Sequence, residues 1–351
     1  MTNKKEMNSY QRIMVVLNGE KPDRIPVFPL VREWCVRQAG FKAYDAILDA
    51  GKYAYSQYSC VREFGYDMVR DLGGIHCESE AMGSRLKLPE DSFPSVIEFA
   101  IQDYGKDLPG LKIPDPNKDG RMPVVLEGIH RLKEMCAGEF PVLGYIQAPF
   151  RHASMLRGPE KILIDVYKSS RCVKDLLELC VSTQITWGKA LLQAGADVLF
   201  ISDPMSSSDM ISPRIWMTFA QPYTAKVVSA LKKLGAKIIM HICGDTTDRL
   251  ESMAATGVDC LSLDSKVNMS EARKILGDDI CLMGNLDPTN LLVFGTPEGV
   301  EKESRHLMAS VVGTKSNYIL SSGCTVPINT PPENIRAMVK AVKKFRLSIA
   351  D

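Results

Sequence analysis

AKIIMHICGD, residues 236–245, is an apolar, β-branched run that stops abruptly at a thiol, a glycine and a carboxylate. A helical stretch precedes it, ISPRIWMTFAQPYTAKVVSALKKLG (211–235), and another follows, DRLESMAATG (248–257). The same unit recurs along the chain. IPVFPLV (25–31), YDMVRDL (66–72), PVLGYIQA (141–148), DVLFIS (197–202), VDCLSLD (258–264), DICLMGN (279–285) and NYILSS (317–322) bring the number of such runs to eight. The intervening segments read as helices, among them TPEGVEKESRHLMASVVG (296–313) and SSRCVKDLLELCVSTQITWGKALLQAG (169–195), the latter closing on Gly195 as a helix C-cap. Strands alternating with helices imply parallel pairing, and near-continuous apolar strands imply burial on both faces. Eight units predict an α/β protein with a single (β/α)8 TIM barrel over 1–351. A doubly wound open sheet is the alternative. The stretch 73–140 is too long for a simple crossover and reads as an insertion after the second strand, not as a separate domain.

The 351 residues carry 43 Lys and Arg against 42 Asp and Glu, a net charge of +1. That balance excludes a mainly charge-driven binder, so no nucleic-acid or membrane partner is expected. No stretch reaches the roughly 18 uninterrupted apolar residues of a membrane span. The N-terminal MTNKKEMNSYQRIMVVLNGEKPDR has too short an apolar patch for a signal peptide, which predicts a cytoplasmic protein. Its ten scattered cysteines are then reduced thiols, most of them packed as small apolar residues.

In a barrel of this kind chemistry gathers at the C-terminal ends of the strands. Those ends present Asp71, Gln147, Asp203, His241 with Cys243, Asp264, Asn285 with Asp287, and Cys324. Asp and Asn after a strand also cap the next helix, so about half of the carboxylates are expected in capping or supporting roles. The most specific group is MHICGD (240–245). On an extended chain, residues i and i+2 point the same way. His241 and Cys243 therefore project together, and imidazole nitrogen and thiolate sulfur are both good zinc donors. Gly244 lets the backbone turn away.

A third donor has to come from another strand exit. SSGCTVP places Cys324 after the last strand, behind a glycine that permits close backbone approach; Cys281 is the competitor. Cys260 and Cys281 lie inside their runs and read as core, and the adjacent pair His76-Cys77 reads as incidental. Three protein ligands with an open fourth position describe a catalytic zinc site.

Four segments resemble the uroporphyrinogen decarboxylase superfamily: RIPVFPLVREWCVRQAG (24–40), DPMSSSDMISPRIWMTFAQPY (203–223), GNLDP (284–288) and GCTVPINTPPENIRAMVKAV (323–342). The resemblance covers nearly the whole chain and implies a (β/α)8 barrel. Decarboxylases of the superfamily look like R-Q-A-G-R-Y near the start and carry G-H before the closing proline segment. Here Arg37, Gln38, Ala39 and Gly40 match, but Phe41 and Lys42 replace the second arginine and its tyrosine, and the pair has become Gly323-Cys324. A guanidinium that grips a carboxylate is not replaced by Phe. The corrinoid-dependent branch, similar to the methylcobalamin:coenzyme M methyltransferases, has a zinc signature of H-x-C and a distant C-terminal Cys, which maps onto His241, Cys243 and Cys324.

The resemblance thus implies Zn²⁺ as cofactor and transfer of a methyl group between a small donor or acceptor, above all a thiol, and a corrinoid (methylcobalamin) brought by a separate corrinoid protein. Zinc helps a thiol because only about 3% of it is ionised at pH 7 when its pKa is near 8.5. Complete ionisation is worth roughly 30-fold, about 2 kcal/mol, and positioning has to supply more. Asp203, Asp264 and Asn285 are the expected catalytic or orienting groups. Arg37, Gln147 and Asp71 are the expected substrate-binding groups, Arg37 holding an anionic tail. The direction of transfer stays open, and a homodimer is expected only by analogy. Uroporphyrinogen decarboxylation is the alternative activity, and a non-catalytic tetrapyrrole binder is a third.

Overall fold

The computed structural model describes residues 6–71, 74–92, 94–313 and 317–345. Among these residues nine strands form: β1 (Val69–Arg70), β2 (Arg85–Lys87), β3 (Ser95–Glu98), β4 (Val142–Gln147), β5 (Val198–Ser202), β6 (Lys237–Ile242), β7 (Cys260–Leu263), β8 (Cys281–Leu286) and β9 (Tyr318–Ser322). Seven of them make one parallel sheet in the order β1-β4-β5-β6-β7-β8-β9, curled as in a TIM-like barrel. Every residue of β4 and of β5 is buried, as strands enclosed on both faces require. Helix Ser170–Ala194 ends at Gly195, whose φ of +114° lies in the region that glycine tolerates.

The first expected strand, 25–31, is not a regular one. Pro26 and Pro29 have no N–H, which leaves too few donors for a ladder. Val27 alone makes a parallel bridge, to Leu320 of β9. The Phe28 N–H donates to the Leu320 carbonyl at 2.9 Å, and the Asp67 N–H donates to the Val27 carbonyl at 2.8 Å. The segment therefore lies between β9 and the approach to β1. Asp67, fully buried, is neutralised by Arg12 and Arg24 at 2.9 and 2.8 Å and accepts the Val27 N–H.

Within 73–140 the chain forms the antiparallel hairpin β2–β3, a short helix Tyr104–Asp107 and the longer helix Met122–Cys136, which buries Val125, Ile129 and Leu132. The helix expected over 211–235 runs from Pro213 to Lys232 and widens into a π turn at Trp216–Ala220, just ahead of Pro222, which cannot continue the ladder. Among the described residues no helix is long and apolar enough to cross a membrane.

Candidate metal centre and its cavity

His241 is the penultimate residue of β6 and stands in register with Ser262 of β7. Its Nδ1 lies 3.0 Å from the Ser262 carbonyl, which can only accept, so Nδ1 carries the proton and donates it there. Nε2 is thereby left with a free lone pair. Cys243, two residues on, places its Sγ 3.3 Å from that nitrogen. Gly244 then turns the chain away at φ +83°.

Two strands, β7 and β8, separate β6 from β9, yet Cys324 reaches the same point. The preceding residue explains how. The Gly323 N–H donates to the Leu286 carbonyl at the end of β8 at 2.7 Å. A Cβ at Gly323 would stand 2.4 Å from the backbone nitrogen of Ser265, just past β7. Glycine lets the β9 exit lie flat across both neighbouring strand ends, and the Cys324 and Cys243 sulfurs meet at 3.7 Å. All three donor atoms lie within 4.8 Å of one another, the single trio of this kind among the described residues.

The donor set fits a tetrahedral zinc ion. Zn–S bonds of about 2.3 Å separate two sulfurs by roughly 3.8 Å, and a shorter Zn–N bond brings sulfur and nitrogen to roughly 3.6 Å. The observed 3.7 and 3.3 Å are close to both. With protein atoms alone, the hydrogen bond between the sulfurs holds the Cys243 pKa below its ordinary value and pushes Cys324 up to about 12. Of the two, Cys243 is the sulfur that gives up its proton more readily to a cation.

Beside this trio opens a cavity of about 270 Å³, lined by Arg32, Arg70, His76, Tyr145, Arg151 and Phe200 together with the three donors. Its charge is positive. Arg70 is only 3% exposed, its Nε has no hydrogen-bond partner, and its guanidinium lies over the Phe200 ring at 5.2 Å. Burial and then the nearby charge of Arg32 pull its pKa down to about 10, which still leaves it a cation at neutral pH. The Arg151 Nε is likewise unpartnered, whereas Arg32 pairs with Glu33 at 3.2 Å. Burial, followed by Arg151, Arg121 and Arg32, pushes the His76 pKa down to about 3, so this ring is neutral. A neutral imidazole among guanidiniums suits an anionic ligand. A larger cleft of about 1020 Å³, lined by Asn8, Arg12, Asp23 and Lys343 among others, does not include the trio.

Of the other residues expected at the site, none lines this cavity, and most support its walls. Asp71 accepts the Tyr145 N–H at 3.0 Å, tying the end of β1 to β4; burial raises its pKa to about 6. Gln147 is buried and donates to Glu78 at 3.0 Å. Asp203 accepts the Ser206 hydroxyl at 2.6 Å, its N–H donates to the His241 carbonyl, and burial raises its pKa to about 7. Asp264 accepts the Lys266 N–H at 3.1 Å and contributes a negative charge near Cys243. Asn285 donates to the carbonyls of Asp264 and Val267 at 2.8 and 2.7 Å, bracing the loop that Gly323 crosses. Asp287 caps the turn at Thr289 and Asn290. Arg37 lies on the outer surface, bonded to Asn329 at 2.9 Å, away from the cavity.

Cys281 and Cys260 sit at the starts of β8 and β7, the opposite end of the strands from Cys243, which removes Cys281 as a third donor. His76, passed over as incidental, lines the cavity through a left-handed backbone (φ +60°) that nothing in its sequence announced. Arg70 had a legible signal: a lone cation inside the apolar run YDMVRDL.

Comparison with known proteins identifies the family. The chain is 32% identical over 346 residues to the methylcobamide:CoM methyltransferase MtbA of Methanosarcina mazei, covering 97% of this chain and 99% of that one. It is 27% identical over 358 residues to the uroporphyrinogen decarboxylase of Psychromonas ingrahamii, covering 96% and 97% of the two chains. A solved methyltransferase from Methanosarcina mazei superposes with a TM-score of 0.89 at 26% identity, covering 97% of this chain and 99% of that one. The family model for uroporphyrinogen decarboxylase (URO-D) matches residues 8–345, and the chain belongs to that family.

Proposed function

We propose that the chain is a zinc-dependent methyltransferase moving a methyl group between a corrinoid carried on a separate protein and a small thiol with an anionic tail. The observation that carries this reading is the convergence of His241 Nε2 with the Cys243 and Cys324 sulfurs at the rim of a small cationic cavity. Relatives named as methylcobamide:CoM methyltransferases, aligned over nearly their whole length, support it. Bound to the trio, Zn²⁺ would supply the Lewis acidity that keeps a substrate thiol ionised at neutral pH.

The chain's own residues do the rest. Ser262 fixes the His241 tautomer, and Arg70 and Arg151 hold the anionic tail in the role the sequence suggested for Arg37. Asp264 and Asn285 keep the strand exits in register with the donors, while Asp203, Asp71 and Gln147 brace the walls. A cavity of about 270 Å³ is at the small end for ligand sites and has room for a compact acceptor beside the trio. The trio, together with the methyltransferase relatives, favours methyl transfer over decarboxylation. In the same reading the chain is one (β/α)8 domain, with 25–31 in the eighth strand position and 73–140 as an insertion.

The test is anaerobic incubation of the zinc-loaded protein with methylcobalamin and 2-mercaptoethanesulfonate. Methylated thiol is expected, lost on chelation and restored by zinc. Coproporphyrinogen formed from uroporphyrinogen, with no thiol methylated, would instead establish the decarboxylase.

A further inference from the structure

We propose that Phe200 sets the length of the acceptor, by holding the Arg70 guanidinium at a fixed distance from the His241 imidazole. This rests on the function proposed above and adds to it the residue that selects among anionic thiols. Phe200 lies in the middle of β5, is 2% exposed, and stands in register between Tyr145 of β4 and Ile239 of β6. Its ring meets two groups at once. The Arg70 guanidinium carbon lies 5.2 Å from the ring centre, and the imidazole ring of His241 lies 5.8 Å from it at an interplanar angle of 27°.

Each of these groups is held with little freedom. The imidazole is pinned by Ser262 at 3.0 Å. Arg70 comes from β1, which β4 and β5 separate from β6, so no backbone ladder joins it directly to the donors. No hydrogen bond fixes its Nε, and the neighbouring carboxylate of Asp71 already accepts the Tyr145 N–H. The cation lies over the face of the Phe200 ring, beside the Asp71 charge that attracts it. An acceptor must place its sulfur at the metal-binding trio and its anion on Arg70 together. Because the two anchoring groups rest 5.2 and 5.8 Å from one ring centre, they stand no more than about 11 Å apart, and that span bounds the linker. Misplacement by about 1 Å costs on the order of 100-fold in rate, so neighbouring chain lengths are sharply resolved.

The experiment compares 2-mercaptoethanesulfonate, 3-mercaptopropanesulfonate and 4-mercaptobutanesulfonate on the zinc-loaded wild type and on Phe200→Leu. Calorimetric binding and methyl transfer from methylcobalamin are read in parallel, with zinc content as a control. The wild type is expected to separate its preferred length from the next by about 10-fold or more in kcat/KM. Phe200→Leu keeps its zinc but narrows that gap to about 3-fold and moves the optimum to a longer thiol, since the ring no longer supports Arg70. If Phe200→Leu fails to fold or to hold zinc, Arg70→Lys replaces it. Lysine keeps the charge without the planar group that stacks on the ring, and the same loss of length discrimination is expected.

An unchanged order and spacing of the three thiols in the folded variant overturns the proposal, as does a wild type that treats all three alike. Binding is read without the corrinoid. A length-dependent affinity that Phe200→Leu flattens, with no thiol methylated, would therefore keep the ruler and reject the methyltransferase. Methylation that ignores length would do the reverse.

Discussion

At the mouth of the sheet Cys243 and Cys324 bring their sulfurs to 3.7 Å; at the other end Cys260 and Cys281 face each other in register across β7 and β8. The first pair comes from residues 81 positions apart, the second from neighbouring strands. Cys260 and Cys281 are 0% and 2% exposed, and burial pushes the Cys260 thiol far above its usual range. Cys243 and Cys324 are half-buried, open to the cavity, and lie 3.7 Å apart beside an imidazole whose Nε2 lone pair faces Cys243. Two adjacent sulfurs are therefore not a site. A third donor with a fixed tautomer, a path for the ligand and a thiol that yields its proton make one pair the candidate metal centre and leave the other as packing.

Exchanging single sulfurs for oxygen gives the largest expected difference between the two ends. Cys324→Ser or Cys243→Ser should lower bound zinc to below about 0.1 per chain and methyl transfer by about 1,000-fold, because a ligand is lost outright. Cys281→Ser should leave zinc and transfer unchanged, measured by elemental analysis and by thioether formation. Equal zinc loss at both ends would erase the distinction.

Alkylation by iodoacetamide sharpens the same contrast. In metal-free protein Cys243 should react at least about 100-fold faster than Cys260, mapped by peptide mass spectrometry, because the thiolate is the nucleophile. The sign of the pH dependence follows from the shift. A Cys243 pKa held below the ordinary thiol value means its rate climbs and levels off at lower pH than that of an unperturbed thiol. Zinc should suppress the reaction.

Arg70 and Arg37 offer a second pair, one cation buried at the cavity and one on the outside. Losing a charge-assisted hydrogen bond of about 1.5–3 kcal/mol, Arg70→Gln should raise KM for an anionic thiol by roughly 10- to 100-fold. For neutral 2-mercaptoethanol the change should be slight. Arg37→Gln should stay within about 2-fold, as expected of an exposed side chain. The smallest effect is on stability alone. Cys260→Ala should cost about 1–2 kcal/mol in denaturant unfolding while leaving zinc untouched, the signature of a small core cavity.

Much of this arrangement was legible in the chain. The alternation of apolar runs and helices located seven parallel strands, and the i, i+2 rule brought His241 and Cys243 onto one face. Cys324 was placed after the last strand, with the glycine that its reach requires. The first expected strand forms only a single bridge because a run such as IPVFPLV counts as apolar while its two prolines remove donors that a ladder needs. The anion-binding side was harder to see. Arg32, Arg70, His76 and Arg151 belong to separate segments, and only the closing of the sheet gathers them. Arg37, by contrast, was favoured by its local motif, and a motif says nothing about which way a helix turns its side chains.

X-ray absorption at the zinc edge, on protein purified without chelator, tests the metal centre itself. The expected spectrum has one zinc per chain with two sulfurs at about 2.3 Å, one imidazole nitrogen at about 2.0 Å and one light ligand, the last giving way to a third sulfur when 2-mercaptoethanesulfonate is added. Zinc in a shell without sulfur, or a shell unchanged by the thiol, would contradict it.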